Sequence, residues 1–243
     1  MDEKKIAICF WGLVKSLDYT LESIEENIFK ILKDANIKYD IYIHTYKING
    51  EYNNIYSKEQ GLLNYEEYKL LNPTIVAIDD QNKIKENLNL NEYRTHEDPW
   101  NNGFKTADNF ICALYSKLQV TNIVKNTDIK YTNILFLRPD VKFLNPLDIS
   151  KLNIKNEFFC IPKFSSHSGF NDRFFLGNYE NGIIYGSAFN NLLEYSKNKK
   201  IHSETYCQFY MTKINKLKRI DIDIKFNRVR LDGRECIKDS TLP

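Results

Sequence analysis

The order in which apolar and polar residues alternate divides this chain into strands and helices. Consecutive apolar positions of strand length occur at residues 5–11 (KIAICFW), 39–46 (YDIYIHTY), 74–78, 133–141 and 157–162. Runs with little polar alternation mark strands buried on both faces, as in parallel sheets. The stretches between them change to the helical period. Leu17, Leu21, Ile24, Ile28 and Ile31 step by four, three, four and three, which is one buried helix face. Ser16 stands as its N-cap and Asp18 lies in its first turn. A helix over residues 106–124 gathers Ile111, Leu114, Tyr115 and Leu118 on one side, with Lys117 beside them. A last helix over residues 204–217, capped by Ser203, turns Cys207, Tyr210, Ile214 and Leu217 inward. Weaker helical signals cover residues 65–71, ended by Asn72-Pro73, and the segment from Gly186-Ser187 to Tyr195. Ile220, Ile222 and Ile224 alternate as in a half-buried strand. This alternation predicts an α/β fold, one Rossmann-like domain whose mostly parallel central sheet is flanked by helices. No internal repeat or composition break divides it.

Two stretches keep neither period. Residues 81–105 are polar and include His96-Glu97-Asp98-Pro99-Trp100. A tryptophan is costly to leave in water, so an ordered lid or wall is expected there. Residues 163–181 form a polar, aromatic loop in which Asn171-Asp172-Arg173 precede a strand returning toward the other strand ends.

Ligands of open α/β sheets bind beyond the carboxyl ends of the strands, so the residues ending each run carry the candidate chemistry. The run from Asn133 stops on Arg138-Pro139-Asp140. Pro139 cannot donate to a neighbouring strand, and Asp140 is released at that edge. A carboxylate placed there, two residues after an arginine, suits a divalent cation bridging to a phosphorylated ligand; it also reads as a plain strand end. After the first strand, Gly12 turns the chain toward its helix, and the turn through Lys15 and Ser16 offers N–H groups and an ammonium to a phosphate. It is not the G-x-G-x-x-G of a dinucleotide site. His44 and Thr45 end the second strand, where His44 reads either as a ligand contact or as a hydrogen-bonded strand-end residue. Asp79 and Asp80 follow the third, facing a ribose or base, or a solvated turn. Arg228 and Arg230 share one side of a late extended segment.

Composition narrows the class. Lys and Arg number 34 against 32 Asp and Glu, too even a balance for a chain whose main partner is nucleic acid. Hydrophobic residues at 42% and charged residues at 27% fit a folded globular protein. The five cysteines are scattered without a Cys-x-x-Cys pair, and Cys9, Cys112 and Cys160 lie in apolar runs. A disulfide framework is therefore not expected. The first apolar segment is broken at Trp11-Gly12, too short for a signal peptide, and no run reaches membrane-spanning length. The expectation is a soluble cytoplasmic protein.

In chain order these pieces resemble one family. A strand followed by Gly-x-x-Lys-Ser and a helix, a strand ending in His-Thr, and a strand ending in Arg-Pro-Asp-Val look like the donor-binding half of a GT-A-type glycosyltransferase. Phe170-Asn171-Asp172-Arg173-Phe174-Phe175, His202-Ser203-Glu204 and Arg230-Leu231-Asp232-Gly233 are similar to segments of the small glycosyltransferases of large DNA viruses and of bacterial capsule or lipopolysaccharide clusters. The likeness runs over residues 5–235 and lies in the order of the motifs. It implies a GT-A-like domain over residues 1–243, with a donor-binding half at 1–145 and an acceptor half at 146–243. It also implies a nucleotide-sugar donor, often UDP-linked, a glycan acceptor, and Mn²⁺ or Mg²⁺ held by an Asp-x-Asp motif. Only the last carboxylate of that motif is present here, which makes Asp140 the implied metal ligand and leaves Arg138 to neutralise part of the diphosphate. Around the donor the resemblance places Gly12, Lys15, Ser16, His44, Thr45, Arg138 and Arg230. Asp172 falls near the acceptor hydroxyl and Glu204 at the start of the last helix.

Sugar transfer needs positive charge at the departing diphosphate and, when configuration inverts, a base for the acceptor hydroxyl. Asp172 is the first candidate base and Glu204 the second. Two other readings stay open. A nucleotidyltransferase making sugar nucleotides usually carries a glycine-rich loop after the first strand, where this chain has the single Gly12. A non-catalytic nucleotide- or carbohydrate-binding module is compatible with the 14% aromatic content.

Overall fold

Strand β1 (Lys5–Trp11) shows why an unbroken apolar run is needed at the centre. Ile6, Ile8 and Phe10 belong to one buried face, Ala7, Cys9 and Trp11 to the other, and none is more than 3% exposed. The structure, a computed structural model, describes residues 4–55 and 57–242; the first three residues, on which part of the leader reading rests, lie outside them. The strands that follow are β2 (Lys38–Lys47), β3 (Tyr52–Asn54), β4 (Glu59–Gly61), β5 (Ile75–Asp80), β6 (Asn133–Leu137), β7 (Val141–Phe143), β8 (Phe158–Ile161), β9 (Phe174–Asn178), β10 (Lys218–Asp221) and β11 (Phe226–Arg228).

Seven of these strands form one sheet in the order β10-β8-β9-β6-β1-β2-β5. All run parallel except β9, which is antiparallel to both β6 and β8. The chain builds outward from β1 through β2 to β5, then returns to the other side of β1 as β6. In open α/β sheets such a reversal marks the edge where ligands bind, here the carboxyl ends of β1 and β6. The expected α/β architecture with a mostly parallel sheet is what forms. Helices cover both faces. On the Phe10 side lie α1 (Leu17–Ile24) and α2 (Lys30–Asp34), together with the antiparallel pair β7–β11. Beyond β5 come the short α3 (Gln81–Asn87) and then α4 (Lys105–Lys125). On the Trp11 side α4 packs with α5 (Tyr179–Gly186), α6 (Leu192–Asn198) and α7 (Ser203–Gln208). Gly186 marks how close these layers come: a Cβ there would meet Thr121 Oγ1 of α4 at 1.8 Å and the Phe136 ring of β6 at 2.8 Å. Among the described residues no helix is long and apolar enough to cross a membrane.

Several local expectations are corrected. The residues before α1 and α7 do not cap them through their side chains. Ser16 sits at the N-cap but its hydroxyl donates to Val229 O at 3.0 Å, and the cap of α7 is His202, with no side-chain bond. Wide i→i+5 turns at Glu25–Phe29 and Phe209–Ile214 rotate the helical stripes, so Leu21 and Ile31 are only half-buried and Ile214 is 46% exposed. On α4, Ser116 and Lys117 are buried where Tyr115 and Leu118 were expected. The supposedly irregular stretch after residue 80 contains α3, because the Asp80 carboxylate caps it by accepting from the N–H groups of Asn82 and Lys83. The helical segment expected from Gly186-Ser187 to Tyr195 forms as a 3-10 turn at Ser187–Asn191 followed by α6, and an unexpected helix precedes it: α5 starts at Tyr179, where Asn178 accepts from Asn181 N. The strand expected through Ile224 stops at Asp221, although Ile222 and Ile224 are buried beyond it. The hairpin β3–β4 gave no pattern signal.

Candidate active site

The carboxyl edge at β1 and β6 is held by a chain of buried ion pairs. Arg138 and Asp140 close around Pro139 in a bidentate fork, Nε to Oδ1 at 2.7 Å and Nη2 to Oδ2 at 2.6 Å. Lys15 Nζ stands 3.8 Å from the same Oδ2. Burial pushes the Asp140 carboxyl up, but the charge and hydrogen bonds of Arg138, with Lys15 behind them, pull it well below the usual carboxylate range. Lys15 pairs in turn with Glu59 of β4. Glu59 also accepts from the Ser57 hydroxyl, from Arg230 Nη1 at 3.1 Å and from Leu231 N at 2.9 Å. Burial raises the Glu59 carboxyl, and the bonds from Lys15 and Ser57 more than reverse it. The hairpin thus bolts the late Arg230 turn to the first helix entrance. Arg228 takes a different partner, forking onto Asp239 at 2.7 and 2.9 Å, so the two arginines expected together serve separate carboxylates.

A second group lies on the Trp11 side. The indole ring of Trp11 carries the Lys117 ammonium 4.1 Å from its centroid and the Arg138 guanidinium at 5.4 Å. Lys117, 1% exposed, donates to the main-chain oxygen of Asp172 at 2.8 Å and to Tyr185 Oη at 2.9 Å. Burial drives its pKa down to about 8, against the pull of Asp172. Asp172 stands just before β9, whose antiparallel direction brings its first residues to the edge where the parallel strands end. Its carboxylate accepts no hydrogen bond from any other described residue. Burial raises it, and Lys117, Arg173 and Arg138 together lower it further, which leaves it ionised at neutral pH. Glu204 is placed differently: Arg173 Nη2 reaches its Oε1 at 3.1 Å and the Ser203 hydroxyl donates to its Oε2.

The remaining predicted positions serve the interior of the edge. Gly12 has φ +88°, a left-handed value that favours glycine, and its N–H donates to Ser116 Oγ at 2.8 Å. His44 is fully buried, and burial lowers its pKa. In the neutral ring Nδ1 accepts from Ser116 Oγ at 2.8 Å and Nε2–H donates to Asp79 at 3.0 Å. Both nitrogens are used within the protein, and His44 lies inside β2, three residues before its end. Thr45 Oγ1 accepts from Val14 N at 3.2 Å and Ser16 Oγ donates to Val229 O. Gly12, Ser16, His44 and Thr45 therefore fix the turn, while Lys15, Arg138, Asp140 and Arg230 join through Glu59 in one ion-pair chain; Arg173 and Glu204 form a separate pair, and Asp172 stands beside it with no ion pair of its own among the described residues. In the 81–105 stretch Trp100 stacks on His202 with ring centroids 5.4 Å apart.

The donor set does not suit a divalent cation. Both oxygens of Asp140 are committed to Arg138, the charges of Arg138, Lys15 and Arg228 act on that carboxylate, and among the described residues no three His, Cys, Asp or Glu side chains gather to hold a metal. Sequence reasoning missed Glu59, Trp11 and the Lys117–Asp172 contact. Glu59 lies in a hairpin without hydrophobic pattern, and Lys117 looked like one charged position on an otherwise apolar helix face.

No family model matches the chain, and no curated protein matches it. Among solved structures it is similar to the apo form of mouse Xyloside xylosyltransferase 1, with a TM-score of 0.43 and 12% identity, over 92% of this chain and 86% of that one.

Proposed function

We propose that this chain is a glycosyltransferase that moves a sugar from a nucleoside-diphosphate sugar, UDP-linked as the first choice, to a hydroxyl of a glycan acceptor. The observation that supports it most is the pairing of opposite charges at one sheet edge. The ionised carboxylate of Asp172 is unclaimed by other side chains, and Arg138, which helps keep it ionised, belongs to the cation row that continues through Lys15 and Arg230. The order of sequence motifs supports the same reading. In the reaction the acceptor oxygen forms its bond to the anomeric carbon as the bond from that carbon to the diphosphate oxygen breaks. Asp172 takes the acceptor proton, and the arginines and Lys15 offset the charge left on the diphosphate. Glu204, with both oxygens engaged, serves to hold Arg173 and is the weaker candidate for the base.

The test separates binding from chemistry. Thermal stabilisation against UDP, GDP, dTDP and CMP identifies the donor class, since a ligand at 100 times its dissociation constant adds about 2.7 kcal/mol. Asp172→Asn is expected to keep that stabilisation and to lower transfer or donor hydrolysis by about 10²–10⁴-fold. Undiminished turnover in this variant, or release of inorganic diphosphate from a nucleoside triphosphate and a sugar phosphate, would remove the assignment.

A further inference from the structure

We infer that the chain holds the diphosphate without a divalent cation, and that Asp140 works by fixing the Arg138 guanidinium instead of ligating a metal. This rests on the proposed donor. Asp140 is 2% exposed and spends both oxygens on Arg138, and its other charged neighbours are the ammonium of Lys15 and the guanidinium of Arg228. A dication at this carboxylate would sit among positive charges and would have to break the fork. The carboxylate that shares Lys15 with it offers nothing better. Glu59 accepts from four donors, Lys15, Ser57, Arg230 and Leu231 N, which fills the four lone-pair positions a carboxylate has. Asp172 is flanked by Lys117, Arg173 and Arg138.

Arg138, by contrast, is built to receive an anion. A guanidinium has five N–H donors, of which the fork uses two. Its side chain is 26% exposed, which leaves it open to an incoming anion at this sheet edge, and the Trp11 ring lies against the guanidinium. Arg230 likewise spends one donor on Glu59 and is 18% exposed. Cations held in place before the ligand arrives need no reorganisation as phosphate charge develops, which is the service a metal would otherwise supply. Asp140 is then a positioning residue acting through Arg138.

Calorimetric titration of the full chain with UDP and with inorganic diphosphate, in EDTA and again in Mn²⁺, tests this without any substitution. Equal affinity in both buffers is the expected result, and Mn²⁺ alone should leave the melting temperature unchanged. Arg138→Gln should weaken both ligands about tenfold or more in either buffer. Asp140→Asn should weaken them in EDTA as well, because a loosened guanidinium is loose with or without metal. Binding that appears only with Mn²⁺ and is lost in Asp140→Asn overturns the inference and leaves the proposed transferase standing. Absence of binding by nucleotide and inorganic diphosphate alike in both buffers overturns both.

Discussion

Lys117 is the residue whose burial has the clearest consequence for pH. Its pKa falls from 10.5 to about 8 in the folded chain. Between those values the unfolded chain binds more protons than the folded one, so this group makes stability rise with pH across that window. Below pH 8 it is charged in both states and the full cost of burying the charge applies. Removing the group in Lys117→Met should therefore flatten the rise. The difference in unfolding free energy between wild type and variant should grow by about 3 kcal/mol from pH 8 to pH 10.5, read by urea unfolding at fixed salt. A difference that stays constant with pH would mean the ammonium is not confined as its contacts require. The same variant reports on Asp172. Without the neighbouring charge that carboxylate should protonate at higher pH, moving the acid limb of the transfer rate upward. At this scale the sequence was half legible. Arg138 and Asp140 announce themselves by interrupting a strand, but Glu59 meets partners 44 and 171 positions away, and no local pattern encodes such a meeting.

The hairpin β3–β4 is the element that joins the two ends of the site. It forms its own two-stranded sheet, separate from the seven-stranded one. An isolated hairpin is marginal in water, so its position depends on what it grips. Glu59 supplies that grip, at 3% exposure, on Lys15, Arg230 and Leu231. Glu59→Ala should cost about 3–5 kcal/mol of stability, since Lys15 is left buried with only the more distant Asp140. It should also open the chain to trypsin at Lys58 ahead of global unfolding. Limited proteolysis followed by mass analysis would show this, and a cut elsewhere first would place the weak point in another element. Helices and central strands were legible because burial on defined faces imposes a period. The hairpin and α3 were not, because ion pairs decide the one and a single capping aspartate the other.

At the scale of the whole molecule one sheet joins residues 1–145 to residues 146–243. Strand β6 pairs with β1 on one side and with β9 on the other, and β9 begins at Phe174. A fragment of residues 1–145 would carry β6 with one full edge of unpaired N–H and C=O groups and with Phe136 and Leu135 stripped of cover. That fragment should aggregate where the full chain stays in solution, as sedimentation of the two from parallel expression would show. A well-dispersed, cooperatively unfolding fragment would mean that the first half folds independently. The one reversed strand that carries Asp172 to the crevice also sets a schedule for biosynthesis. The ribosome releases β6 roughly forty residues before β9, a lag of about 2–8 s at ordinary elongation rates. Throughout that interval the nascent chain presents an apolar strand with an open flank, a surface for chaperones to cover until β9 arrives.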